Sequence, residues 1–230
     1  MRRILTLLVT PLLLVQGVWV VARAQRLPEA EGERIGAAGG GSPLRLLILG
    51  DSSAAGVGVL HQRDALAGRL AAHLSHDRAV SWTLVAKSGA TTATALAMLA
   101  DLPEDRFDMA VVALGVNDTK NGVSEHVWCK NYAAILNTLE TRFGIMRICV
   151  SGLPPMGHFP LLPRPLRTVL GRRADRFDRR LRELADAWGN VTHVPLDFPM
   201  DVSMMASDGF HPGPQVYDAW AARLAAALTR

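Results

Sequence analysis

From residue 44 onward, short apolar runs alternate with longer amphipathic stretches. Residues 44–49 are apolar except for Arg45 and lie between Pro43 and Gly50, the pattern of a parallel strand covered on both faces. Further strands are predicted over 80–86, 108–114, 147–151 and 191–194. Helices are predicted over 64–74, where Leu66, Leu70 and Leu74 recur at helical spacing, and over 91–99, 124–143, 172–188 and 215–228, with Ser124 as a candidate cap. Five strands alternating with helices imply parallel pairing through right-handed crossovers, so the expected fold class is α/β, a three-layer α/β/α domain with a five-stranded parallel sheet. Such sheets bind ligands beyond the carboxyl ends of their strands, where the strand order reverses. The chemistry is therefore sought in the segments after the first, second, third and fifth strands.

The first 24 residues follow a different pattern. Arg2 and Arg3 precede an apolar run over 4–22, broken only by Thr6, Thr10, Pro11, Gln16 and Gly17, and Ala22-Arg23-Ala24 offers the small-x-small site of a signal peptidase. Residues 1–24 thus read as an export signal or as an uncleaved membrane anchor, because the run approaches the length that spans a bilayer. Either outcome sends the body to the periplasmic or extracellular side. Residues 25–43, with Gly39-Gly40-Gly41-Ser42, read as a flexible linker, leaving 44–230 as the functional domain.

Composition narrows the classes. Of 230 residues, 49% are hydrophobic and 20% charged, which excludes a disordered polyelectrolyte or a disulfide-stapled mini-protein. A domain of this size holds a core without metal or disulfide. The net charge is +4, but Arg2, Arg3 and Arg23 supply three of those charges, and what remains argues against nucleic acid as a partner. Cys129 falls in a predicted helix and Cys149 in a predicted buried strand. Helix and sheet layers sit too far apart for a bridge, so both are expected as free thiols without the partners of a metal site.

Four short segments carry candidate chemistry. Gly50-Asp51-Ser52 follows the first strand, where a turn lifts Ser52 to the sheet edge; a plain glycine-rich turn is the alternative, since neither phosphate-loop fingerprint is complete. Gly89 follows the second strand and opens a helix, whose free N–H groups favour negative charge. Gly115-Val116-Asn117-Asp118 follows the third; Asn117 can donate to an oxyanion, though Asn and Asp are also ordinary turn formers. Asp208-Gly209-Phe210-His211-Pro212 precedes the last helix, where a turn can set Asp208 on one imidazole nitrogen of His211 and leave the other facing out. The alternative is a capping Asp beside a surface His.

Taken together, these blocks resemble the SGNH, or GDSL, hydrolase superfamily, in order and across nearly the whole body from Leu44. The resemblance implies a flavodoxin-like sheet and a serine esterase acting on carboxylic esters, acyl or acetyl, through an acyl-enzyme, with no metal and no cofactor. It implies Ser52 as nucleophile, His211 as general base, Asp208 as its orienter, and Ser52, Gly89 and Asn117 as the oxyanion hole. The implied partner is a small-molecule, lipid or glycan ester, and the pattern of residues 1–24 adds membrane association as an expectation. Two other readings stand beside it: a membrane-tethered glycan- or lipid-binding module without catalysis, and an acyltransferase.

Other features are assigned blander roles. Ser53 reads as a turn hydrogen-bonder. His61, His73, His76, His126, His158 and His193 read as mostly surface or loop residues. The loop after the fourth strand offers Met156, Phe159, Leu161 and Leu162 as an apolar wall or as plain packing. The arginines between Arg164 and Arg182 read as a solvated helix face.

Overall fold

The computed structural model describes residues 2–198 and 202–230. The central strand β2 (Ser42–Gly50) is flanked in parallel by β3 (Arg78–Ala86) and β4 (Met109–Ala113), and the sheet continues through β5 (Arg147–Ser151) to β6 (Val191–Val194). All five strands match the sequence expectation in place and direction. A sixth was not expected: β1 (Ile35–Ala38) lies antiparallel against β3, pairing Ile35 with Thr83 and Ala38 with Val80. The sheet order is β1-β3-β2-β4-β5-β6.

Two apolar layers cover the sheet. Alternation along β2 sends Leu47 and Leu49 to one face and Leu46 and Ile48 to the other, all fully buried. The first face packs against α3 (Thr92–Asp101), α5 (Glu125–Thr141) and α6 (Leu166–Asp186), where Trp128 stacks on Phe177. The second packs against α2 (Leu66–Leu74) and α7 (Pro214–Leu228). Cys149 belongs to this second layer and Cys129 borders the first, so the sheet lies between the two free thiols. Burial pushes the Cys149 thiol up to about 12.

Residues 25–43 are not the free tether expected from their glycines. Besides forming β1, they tie into the body through Arg34, whose guanidinium donates to the Ala86 carbonyl at 2.6 Å and pairs with Glu29 at 2.5 Å. Glu29 in turn accepts the Ser88 N–H at 2.7 Å. The physical reason is the open edge of β3, whose unpaired backbone groups β1 satisfies.

The N-terminal helix α1 (Arg2–Arg23) lies against the start of α6, where Gln16 donates to the Arg164 carbonyl and accepts the Leu166 N–H. Leu14, Val15, Val18 and Val21 on it are exposed. Among the described residues, no helix is long and apolar enough to cross a membrane. Met1 and residues 199–201 lie outside the described residues.

Candidate active site

Register places the site. Gly50, the last residue of β2, stands opposite Ala86 of β3 and Ala113 of β4, so the three strands end in one row and their following loops converge. The strand order reverses on either side of β2, which leaves a crevice above that row. Ser52, Gly89 and Asn117 emerge there, and the loop before α7 brings in Asp208 and His211.

Ser52 Oγ lies 2.9 Å from His211 Nε2, and His211 Nδ1 lies 2.5 Å from Asp208 Oδ2. The second oxygen of Asp208 accepts the backbone N–H groups of Phe210 (2.9 Å) and His211 (3.0 Å). Burial alone would raise the Asp208 carboxyl, but the hydrogen bonds from the His211 ring and these two N–H groups outweigh it and hold the group below the usual carboxylate range. Asp208 is therefore an ionised partner that fixes one tautomer of His211 and leaves Nε2 as the acceptor for a hydroxyl proton.

The turn carrying Ser52 is clamped from two sides. Tyr217 of α7 places its hydroxyl 2.8 Å from the carbonyls of both Ser53 and Val57, sharing one hydrogen between them. Gly58, at φ +112°, passes so close to the histidine loop that a Cβ there would sit 2.3 Å from the Pro212 carbonyl oxygen, so only glycine lets the two loops touch. Ser53 uses its N–H on Asp51, in keeping with a turn role.

The same row of loops carries further donors. The N–H groups of Ser52 and Gly89 make no hydrogen bond to other described residues, and Gly89 reaches its position through φ +82°. The buried Asn117 amide donates to the Ala90 carbonyl at 3.0 Å and to Asp51 Oδ2 at 3.3 Å. The contact to Asp51 is the longer and weaker of the two. Asp118 accepts both the N–H and the hydroxyl of Thr92, which pins the short helix α4 (Val116–Lys120) after β4 to the start of α3. Glu29, through Ser88, holds the residue next to Gly89 from the opposite edge.

An apolar cavity of about 50 Å³ adjoins Ser52, walled by Pro154, Phe159 and Phe210 and closed by Phe198, Val216 and Trp220. Of the loop side chains expected to form a wall, Phe159 does so, edge-on to Phe210 at 5.1 Å; Met156 and Leu162 are buried in the first core layer instead. His193 departs from its expected surface placement: its side chain is 6% exposed and bonds Asp178 at 2.9 Å, while Asp178 also accepts the Leu153 N–H. This pair holds the base of the 152–159 loop. On α6, Arg180 pairs with Glu125 and Glu183, as a solvated arginine face predicts.

Sequence reasoning missed Glu29, Tyr217 and Trp220. The last two, three residues apart on the helix that follows His211, carried a signal in their spacing; Glu29 carried none. Among the described residues, no group of three or more His, Cys, Asp or Glu is placed to hold a metal ion.

The model of the GDSL-like Lipase/Acylhydrolase family matches residues 48–219, a span that includes all four loops. Among solved structures the chain is similar to TesA, at 24% identity and TM-score 0.62 over 80% of this chain and 97% of that one. It is similar also to the lipase Lip_vut3 from a goat rumen metagenome, at 22% and TM-score 0.62 over 80% and 97%. A third is the psychrotrophic esterase EstA from Pseudoalteromonas sp. inhibited by monoethylphosphonate, at 18% and TM-score 0.58 over 80% and 96%. At these identities the likeness is one of fold. No curated protein matches the chain.

Asp51, beside Ser52, generates a pH-dependent expectation. Burial raises its carboxyl from 3.8 to about 6, against the Ser53 N–H and the charges of Lys120 and His211. An ionised Asp51 therefore costs the fold above about pH 6 and nothing below about pH 4. The stability of Asp51→Asn relative to the parent should rise from pH 4 to pH 8 by on the order of 3 kcal/mol, read from denaturant melts at the two pH values.

Proposed function

The chain belongs to the GDSL-like Lipase/Acylhydrolase family, and from that footing we propose that it is a serine esterase hydrolysing carboxylic esters through an acyl-enzyme. The observation that carries the reading is the continuous hydrogen-bonded chain from Ser52 Oγ through His211 to Asp208, with contacts of 2.9 and 2.5 Å.

Ser52 Oγ attacks the ester carbonyl carbon while His211 Nε2 takes the hydroxyl proton, and the carbonyl π pair moves to its oxygen. A neutral serine hydroxyl needs that base to become nucleophilic. The oxyanion meets the N–H groups of Ser52 and Gly89 and the Asn117 amide, donors fixed before the charge develops. Asp208 stabilises the imidazolium without taking its proton. Collapse expels the alcohol, which leaves with the proton from His211, and the acyl group stays on Ser52. Water then enters: His211 takes one of its protons, the hydroxide oxygen bonds the acyl carbon, and the Ser52–acyl bond breaks as Oγ recovers the proton. Phe210 stands edge-on to the His211 ring at 5.2 Å.

We propose also that the chain is exported through residues 1–24. The support is the apolar run behind Arg2 and Arg3 and the outward-facing Leu14, Val15, Val18 and Val21 of α1. N-terminal sequencing of the protein from the native cell envelope should give a start at Gln25; recovery from the cytosol with Met1 retained would oppose export.

Three substitutions test the chemistry. Ser52→Ala should abolish hydrolysis of p-nitrophenyl butyrate and labelling by a fluorophosphonate, and full activity in that variant rejects the assignment. Asn117→Ala should lower turnover by roughly 10²- to 10³-fold, the cost of one oxyanion donor. Glu29→Ala, which frees the Ser88–Gly89 turn, should lower kcat between roughly ten- and a hundredfold with KM little changed. Wild-type kinetics there would show that the loop needs no hold from the β1 segment.

A further inference from the structure

The cavity beside Ser52 has a definite floor. Trp220 is 3% exposed, and its indole N–H donates to Ser151 Oγ at 3.0 Å; Ser151, at the end of β5, is itself buried. The same ring stacks on Tyr217 at 6.3 Å and 18°. Trp220 is thus held by the sheet on one side and by the side chain that clamps the nucleophile turn on the other. It cannot swing aside without breaking a buried hydrogen bond.

Above that floor the surroundings are apolar. Val216, one turn before Trp220 on α7, closes one side and Phe198 another; Phe159 and Phe210 line the way in from Ser52. The polar side chains on the lining are those of Asp51, Ser52 and Ser53. Such a cavity holds a hydrocarbon chain joined to a carbonyl at Ser52, and no glycan or charged group finds partners in it. The geometry also separates the side of Ser52 that faces Gly89 from the side that faces the cavity. Gly89 comes from the β3 side of Ser52, whereas the cavity walls come from β4, β5 and the loop after β6. With the carbonyl oxygen facing Gly89 and Asn117, the acyl chain is directed into the cavity.

Size then limits the chain. The cavity measures about 50 Å³ and is bounded by Phe198, Val216 and Trp220, so it is small for a long hydrocarbon chain.

We propose that Trp220 sets the acyl specificity of this site, confining it to short-chain esters. The assignment rests on the esterase reading above and specifies its substrate class. Longer acyl chains meet a wall that is pinned to the sheet, so their extra methylenes stay in water or distort the approach of the carbonyl to Ser52.

The test is a p-nitrophenyl ester series from acetate to dodecanoate on the full chain, the Trp220→Leu variant and the milder Val216→Ala variant. A fluorophosphonate titration counts functional Ser52 in each preparation. The parent should favour butyrate over decanoate by roughly tenfold or more in kcat/KM. Trp220→Leu, or Val216→Ala where the former fails to fold, should raise the decanoate-to-butyrate ratio at least tenfold. A parent that turns over decanoate as well as butyrate, or an opened variant with an unchanged ratio and labelled Ser52, overturns the assignment and leaves the esterase reading standing. Absence of turnover at every chain length, with Ser52 unlabelled, overturns both.

Discussion

The alignment of Gly50 with Ala86 on one side and Ala113 on the other is the constraint from which the site follows. Parallel strands joined by right-handed crossovers must all exit at the same sheet edge, and in this chain the three central exits are level. Ser52, Gly89 and Asn117 therefore reach the crevice two, three and four residues beyond the ends of their strands. Local devices hold the loops there. Asp51 receives Ser53 N–H within its own turn, Asp118 receives Thr92 across to the next helix, and Tyr217 grips the Ser52 turn from α7. The core beneath, with Leu47, Leu49, Leu46 and Ile48 completely buried, gives these devices a rigid base.

Three acidic side chains lie in or under the crevice, and their surroundings divide them. Asp208 gains more from the imidazole and two backbone N–H groups than it loses by burial, and stays below its ordinary range. Asp51 and Asp118 are raised, because burial outweighs the hydrogen bonds each receives. The difference is one of donor count against depth. It holds Asp208 ionised beside the imidazole, whereas depth makes ionisation costly for Asp51 and Asp118.

How far the sequence revealed this depends on where each signal resides. The strand at 44–49 was legible because a segment buried on both faces has to be apolar throughout, and the four loops were legible because turn geometry and chemistry are written in contiguous residues. β1 was not, since Ile35-Gly36-Ala37-Ala38 sits among glycines and has no period of its own; its pairing is dictated by the edge of β3, more than forty residues on. The start of α6 at Leu166 instead of 172 was hidden by arginines and prolines that dilute the apolar spacing. Glu29 and Ser88 are 59 positions apart, and no local pattern announces such a contact. The His193–Asp178 pair was obscured likewise: a histidine in a strand gives no sign of the carboxylate that meets it from a neighbouring helix.

The segment before the sheet also bears on how the molecule fails. β1 is four residues long, has a single neighbour and occupies the rim, so it opens at a lower free energy than the strands inside. Its departure would take Arg34 and Glu29 with it and release the backbone next to Gly89 while the two packed layers remain intact. On warming, the hold on Ser88 would then be lost before the far-ultraviolet signal of the fold changes, and on cooling it would return without any need to rebuild the interior.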